Sequence, residues 1–179
     1  MPLVFLSVGS NKGNRLLALA KAYNEIDAGA GRIVDSSSVY ETEPWGFAAE
    51  QQFYNQVLKL ESELEPGILL DLLIRIEASM GRTREEGGYQ SREIDLDILL
   101  YGNLVVDSEK LKIPHPRMHL RKFVLIPLAE LAENLVHPTS GIAIYNLLED
   151  CHDMSKVIKR YNKEEIPGLF KKAINQAGN

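Results

Sequence analysis

Cysteine is almost absent from this chain, which has one, Cys151, among its 179 residues. A single cysteine cannot form an intrachain disulfide, and such a composition suits a reducing compartment. Long hydrophobic runs are also missing, since the N-terminal apolar run, Leu3 to Leu6, is too short for a signal sequence or a membrane span. We therefore expect a cytoplasmic protein that does not bind a membrane.

Positive charge is scarce as well, because 25 acidic residues outnumber 20 lysines and arginines and give a net charge of −5. No overall basic field attracts a polyanion, which argues against a nucleic-acid-binding protein. The composition, 45% apolar and 25% charged, is that of an ordinary globular chain, and the length suits a single domain over residues 1–179. We expect a monomer in which any anion site is local.

Hydrophobic periodicity predicts strands and helices in the order β-α-β-β-α-β. The predicted elements are strands at 3–8, 32–42, 53–63 and 93–100, a helix from Asn14 to about Gly29, and a helix from Pro66 to Gly81. Later pieces are a hairpin turn at Gly102-Asn103 with a return strand at 104–106, a helix that starts or kinks at Pro127, and helices near 144–148 and 164–173.

The split order of these elements is typical of ferredoxin-like α+β folds. In such a sandwich the helices pack on one face of a mostly antiparallel sheet. We therefore expect the other face of the sheet to be open for a binding site.

The predicted strand at 93–100 carries its acidic side chains on one face. Its apolar face consists of Ile94, Leu96, Ile98 and Leu100, and its polar face of Glu93, Asp95 and Asp97. Side chains two positions apart on a strand are separated by about 6.6 Å, so Asp95 and Asp97 would repel each other without a cation. Magnesium, which takes one or two protein carboxylates together with substrate phosphates, fits this pair.

A loop with three arginines, Arg82, Arg84 and Arg92, precedes the acidic strand and contains the pair Gly87-Gly88. Arginine binds phosphate in a forked geometry, so a cationic loop beside paired carboxylates favours phosphoryl transfer from a metal-bound nucleotide. Acidic pairs and loop arginines are also common on solvated surfaces. On the residues alone, a plain surface role for both features stays open.

Several motifs occur in a characteristic order along the chain. They are Gly9-Ser10-Asn11, the segment from Tyr40 to Gly46, Phe53-Tyr54-Asn55, the run from Glu77 to Arg84, the run from Arg92 to Ile98, and Pro114 to Met118 followed by Arg121 and Phe123. Together they resemble the 6-hydroxymethyl-7,8-dihydropterin pyrophosphokinase family. The resemblance spans about residues 3–138 and leaves residues 160–179 as a C-terminal extension outside it.

The resemblance implies transfer of pyrophosphate from ATP to a reduced pterin in folate biosynthesis, with AMP as the other product. It implies two Mg²⁺ ions bound by Asp95 and Asp97, and catalytic roles for Arg82, Arg92, Asp95 and Asp97. The positions that match ATP-binding residues are Leu70, Arg82, Arg84, Arg92, Ile98, Lys110, His115 and Arg121. Those that match the pterin slot are Thr42, Pro44, Trp45, Phe53, Asn55, Tyr89 and Phe123.

Two other functions fit the same residues. A different phosphoryl or nucleotidyl transferase could use the paired aspartates with a metal. A non-catalytic ligand-binding module could instead pair Asp95 and Asp97 with Arg82 and Arg92. The products formed from ATP distinguish a pyrophosphokinase from another phosphoryl or nucleotidyl transferase. Mg²⁺-dependent binding of ATP argues against the non-catalytic module.

Overall fold

The computed structural model of the protein describes residues 1–43, 51–81 and 93–178. The strands are β1 (Leu3–Ser10), β2 (Arg32–Ser36), β3 (Val39–Thr42), β4 (Phe53–Glu61), β5 (Asp95–Tyr101), β6 (Val106–Asp107), β7 (Lys112–Ile113) and β8 (Val157–Tyr161). The helices are α1 (Arg15–Gly29), α2 (Pro66–Ser79), α3 (Lys122–Ala132), α4 (Ile144–Glu149) and α5 (Ile166–Ala177).

Six of these strands form one antiparallel sheet in the order β5-β1-β4-β3-β8, with β2 also paired to β4. Helices pack on this sheet, so the predicted α+β fold with a mostly antiparallel sheet is confirmed. The helix starts also follow local signals. The Asn14 side chain accepts a hydrogen bond from the Leu17 amide at the start of α1, and Pro66 occupies the first turn of α2. None of the described helices is long and apolar enough to span a membrane.

Alternation along the strands divides the core into two layers. Val4, Leu6 and Val8 of β1 pack with α1 and α2 on one face of the sheet. Phe5 of β1 and Val57 of β4 pack with α3 and α4 on the other face. The expectation that this second face is open is therefore wrong for its apolar end, since α3 and α4 cover that end and only the polar end is left for a site.

The acidic strand follows its predicted alternation only as far as Ile98. The pairing of β1 with β5 shifts between Phe5 and Leu6, so that Leu6 pairs with Ile98 and Phe5 with Leu100. Leu96 and Ile98 pack with α1 and α2, whereas Leu100 belongs to the cluster on the opposite face. An irregularity of this kind inserts one residue and reverses the sides of the residues beyond it.

Three other predicted elements differ from the structure. The strand predicted at 32–42 is interrupted at Ser37 and Ser38, where the Ser37 hydroxyl accepts a hydrogen bond from the Val57 amide at 2.9 Å. The return strand after Gly102 does not pair with β5, because β6 pairs with β7 in a separate two-stranded sheet. Helix α3 starts at Lys122 and contains Pro127 in its interior, so a helix start at Pro127 is wrong.

Candidate active site

The polar end of the second sheet face is organised by one row of paired residues. Asp95 of β5 pairs with Gly9 of β1, Gly9 pairs with Asn55 of β4, and Asn55 pairs with Tyr40 of β3. Directly paired residues in an antiparallel sheet point to the same face. Asp95 and Asn55 lie two strands apart, or about 10 Å. The row thus places an acidic group and a neutral amide on either side of a residue that has no side chain.

Gly9 forms a flat floor between these two groups. A methyl group built at Gly9 would lie 2.9 Å from Asn55 Oδ1 and 3.7 Å from Cδ1 of Phe53. The first of these distances is far below a normal contact for a side-chain carbon. Only glycine therefore lets a ligand reach the sheet surface here without displacing Asn55.

The family resemblance implies that Asn55 contacts a pterin. We therefore predict that Gly9→Ala weakens pterin binding about tenfold or more, because the new methyl group must push the Asn55 amide out of its hydrogen bond. Calorimetry with the pterin and a non-reactive ATP analogue measures the effect. Gly168→Ala in α5 is the matched control, since a methyl group there meets no atom within 4 Å. Normal pterin affinity in Gly9→Ala would show that the floor is not used.

The Asn55 amide is held by its neighbour on β3. Its Nδ2 donates a hydrogen bond to Thr42 Oγ1 at 2.7 Å, and both residues are buried. This bond fixes the orientation of the amide, so the Oδ1 atom, a hydrogen-bond acceptor, lies on the side of Gly9. Phe53 starts the same strand, and its ring lies at the edge of the floor.

His115 approaches the acidic end of the row from the segment after β7. Its backbone amide donates to the Leu99 carbonyl at 2.9 Å, and its Nε2 lies 4.0 Å from Oδ2 of Asp97. Burial, followed by the positive charges of Arg121 and Arg117, lowers the pKa of His115 to about 4. The imidazole is therefore neutral at pH 7.

The neutral imidazole has a defined tautomer. The Arg117 amide donates to its Nδ1 at 3.2 Å, so the ring proton resides on Nε2, the atom that faces Asp97. The distance of 4.0 Å is longer than a hydrogen bond. His115 thus presents a neutral donor beside the acidic strand.

Arg121 and Phe123 come from the start of α3, which packs on the same sheet face. The Arg121 guanidinium is buried and lies 5.6 Å from the centre of the Phe123 ring, within the range of a cation–π contact. Because the Arg121 charge also lowers the pKa of His115, it provides a fixed positive charge at this site.

Leu70, Ile98 and Lys110 are not part of this polar cluster. Leu70 and Ile98 pack in the layer with α1 and α2, on the opposite side of β5 from Asp95. Lys110 is exposed between β6 and β7. The outer edge of β5 is not paired with a further strand among the described strands.

Six predicted site residues lie outside the described residues: Pro44, Trp45, Arg82, Arg84, Tyr89 and Arg92. Their roles stay predictions.

The donor set at the acidic end fits a magnesium ion. Asp95 and Asp97 are both partly exposed and project from alternate positions of β5 on one face. No cluster of three histidine, cysteine or acidic metal ligands occurs in the described parts of the chain. Two carboxylates complemented by substrate phosphates are typical of Mg²⁺ rather than of a fully protein-bound metal.

Two residues that shape this site belong to the motifs of the family resemblance but were assigned no role from the sequence. The first is Gly9 of the motif Gly9-Ser10-Asn11. The second is Glu77 of α2, which is 3% exposed and accepts a hydrogen bond from the Leu96 amide at 2.8 Å. Leu96 lies between the two aspartates, so Glu77 fixes the backbone that carries them. A glutamate within the apolar stripe of a helix was the available signal.

Residues 5–133, more than half of the chain, match the family model of 7,8-dihydro-6-hydroxymethylpterin-pyrophosphokinase. The chain belongs to this family. The family assigns it to the ATP-dependent pyrophosphokinases that act on a hydroxymethyldihydropterin in folate biosynthesis. The predicted resemblance is confirmed.

Bacterial relatives support the family assignment along most of their own length. The chain is 43% identical over 141 residues to the 2-amino-4-hydroxy-6-hydroxymethyldihydropteridine pyrophosphokinase of Porphyromonas gingivalis, covering 77% of the chain and 95% of the relative. It is 41% identical to the enzyme of the same name from Haemophilus influenzae, covering 79% of the chain and 89% of the relative.

Longer proteins contain a similar region. The folic acid synthesis protein fol1 of Pneumocystis carinii is 37% identical over 94% of the chain, but the chain spans only 22% of that protein. The solved HPPK-DHPS of Plasmodium falciparum with pteroate has a TM-score of 0.69 at 15% identity, covering 83% of the chain and 44% of the solved protein. This second likeness shows the fold alone.

Proposed function

We propose that the chain transfers the terminal two phosphates of ATP to the hydroxymethyl group of 6-hydroxymethyl-7,8-dihydropterin. The substrate hydroxyl oxygen forms a bond to the β-phosphorus, and the bond from that phosphorus to the α,β-bridging oxygen breaks. AMP leaves with the bridging oxygen, and the hydroxyl proton is released. The observation that carries this proposal is the row Asp95, Gly9 and Asn55, which places an acidic and a neutral hydrogen-bonding position about 10 Å apart on one floor.

The acidic end of the row is the proposed phosphate site. Asp95 and Asp97 would hold two Mg²⁺ ions, which would supply positive charge to neutralise the phosphate oxygens. His115 donates its Nε2 proton to a phosphate oxygen, and Arg121 adds a positive charge. Arg82, Arg84 and Arg92 are proposed to bind the phosphates as well. Leu70, Ile98 and Lys110 are proposed to contact the nucleoside part at the outer edge of β5.

The neutral end of the row is the proposed pterin slot. Asn55 Oδ1 accepts a hydrogen bond from the ring edge, and Thr42 holds the amide in that orientation. Phe53 and Phe123 provide aromatic surfaces for a flat heterocycle. Pro44, Trp45 and Tyr89 are proposed to complete the slot. The uncharged pterin thus binds through stacking and hydrogen bonds, apart from the charged phosphate site.

Product analysis tests the reaction. We expect ATP, Mg²⁺ and the hydroxymethyldihydropterin to yield AMP and the pterin pyrophosphate in equal amounts, because only β-phosphorus attack releases AMP together with a pyrophosphorylated product. Release of ADP would indicate a simple kinase, and release of free pyrophosphate a nucleotidyltransferase. Absence of any Mg²⁺-dependent ATP binding would favour the non-catalytic module.

The remaining predictions concern the whole molecule. We propose that residues 1–179 act as one domain, with residues 160–179 as an extension to the family core, and that the protein is a cytoplasmic monomer. The single cysteine supports a reducing compartment, and the acidic net charge supports a protein that does not bind nucleic acid. Light scattering of the purified chain tests the monomer.

A further inference from the structure

The part of the chain after α4 lies beyond the family-matched residues 5–133, yet it makes three contacts with the elements that form the site. The first contact is the edge of the sheet. Strand β3 pairs with β4 at only three positions, from Tyr40 to Thr42. Strand β8 pairs with the outer side of β3, with Val157 directly opposite Thr42. The backbone that carries Thr42 is therefore held between two strands and is not a free edge.

The second contact is with the start of α3. Oδ2 of Asp153 accepts a hydrogen bond from the Lys122 amide at 2.9 Å, and Oδ1 accepts one from the Ser155 amide at 2.9 Å. An ionised carboxylate at this position caps the first turn of the helix and favours its dipole. Burial alone would raise the pKa of Asp153, but these hydrogen bonds outweigh it and lower the pKa. Asp153 thus holds the turn of α3 that carries Phe123.

A third contact connects α3, which carries Phe123, to β3, which carries Thr42. Lys159 Nζ lies 3.6 Å from Oε1 of Glu130 on α3 and 5.7 Å from the centre of the Tyr40 ring on β3. Glu130 also accepts hydrogen bonds from the Tyr40 hydroxyl at 2.8 Å and the Ser38 hydroxyl at 2.7 Å. Lys159 therefore adds a positive charge to the junction that joins α3 to β3.

Helix α5 keeps this segment in place. Ile166 and Phe170 are buried in the core layer that contains α1, and the Phe170 ring packs edge-on against Tyr23 of α1 at 5.9 Å. Burial of large apolar side chains such as Ile and Phe favours the packed position of a helix. The segment before α5 is therefore anchored at its C-terminal end as well as along β3.

We propose that residues 153–161, here named the clamp segment, fix the spacing between the two walls of the pterin slot and so set pterin affinity. One wall is the Thr42 and Asn55 pair, which the clamp segment holds through β3. The other wall is Phe123, which it holds through the cap on α3. The clamp residues are positioning residues, since they act through these walls. This inference rests on the proposed function.

The experiment compares variants of the full chain at Lys159 and Asp153. Calorimetry with an ATP analogue that has a methylene group in place of the α,β-bridging oxygen is followed by titration with the pterin. We expect Lys159→Ala to raise the pterin Kd about threefold to fivefold, as for a favourable ion pair near the surface, with the analogue Kd changed less than twofold. Asp153→Ala should raise the pterin Kd about fivefold, the effect of a lost helix cap.

Matched controls distinguish a positioning role of Lys159 from a general loss of protein stability. Lys159→Arg, which keeps the charge, should restore pterin affinity. Lys156→Ala removes an exposed lysine of the same segment for which no ion pair or hydrogen bond is found among the described residues, and it should bind both ligands normally. If Asp153→Ala does not fold, the Lys159 variants by themselves test the positioning role of the clamp segment.

Two outcomes would overturn the inference. One is unchanged pterin affinity in Lys159→Ala, and the other is an equal loss of pterin and nucleotide affinity in that variant. A wild-type chain that does not bind the pterin at all would instead overturn the proposed function.

Discussion

Replacement of Asp97 by alanine is expected to reduce kcat about a thousandfold or more while the protein stays folded. The Asp97 side chain is 42% exposed and lies on the polar face of β5, so its loss removes no apolar packing. It also relieves the repulsion between Asp97 and Asp95. Loss of a metal ligand removes several kcal/mol of charge stabilisation in the transition state, which corresponds to this decrease in rate.

Rate measurements at saturating ATP and pterin over a series of Mg²⁺ concentrations test this expectation. Asp97→Ala should need more Mg²⁺ and stay slow at saturation, while it still unfolds in one cooperative transition. Asp107→Ala is the matched control, because Asp107 is an exposed aspartate that pairs with Lys112 on the two-stranded sheet, away from the row. Near-normal turnover in folded Asp97→Ala would disprove a metal-binding role for this residue.

Replacement of Asn55 by alanine should weaken pterin binding by a factor of about 10 to 100. The substitution removes the proposed acceptor for the ring edge and leaves the buried Thr42 hydroxyl without its donor, and each buried polar group left unpaired costs about 1–3 kcal/mol. Binding of the ATP analogue alone should change less than twofold. Asp95, Asp97 and His115 lie at the other end of the row.

Gln56→Ala provides a control from the same strand. Gln56 is an equally buried amide, but it points to the opposite face of the sheet and donates to the Ser37 carbonyl at 2.9 Å. Its loss should lower the free energy of unfolding without a selective effect on the pterin. If Gln56→Ala and Asn55→Ala had the same effect on both ligands, the slot would have to lie elsewhere.

Most individual elements of the fold could be predicted from the sequence because their signals are local. The stripe of α2 between Pro66 and Gly81 and the alternation of β4 each depend on neighbours within a few residues. The alternation that placed Asp95 and Asp97 on one face is of the same kind. Strand β8 was missed because its central residues are exposed at an edge, where alternation of apolar and polar residues is weak.

The sequence by itself determined the family, most of the elements from β1 to β5 and the position of the paired carboxylates, since these depend on residue types and short spacings. Only the tertiary structure decided that Gly9 separates Asp95 from Asn55, because strand register joins residues far apart in the chain. It likewise decided that His115 is neutral, since burial and the charges of Arg121 and Arg117 act through space and not along the sequence.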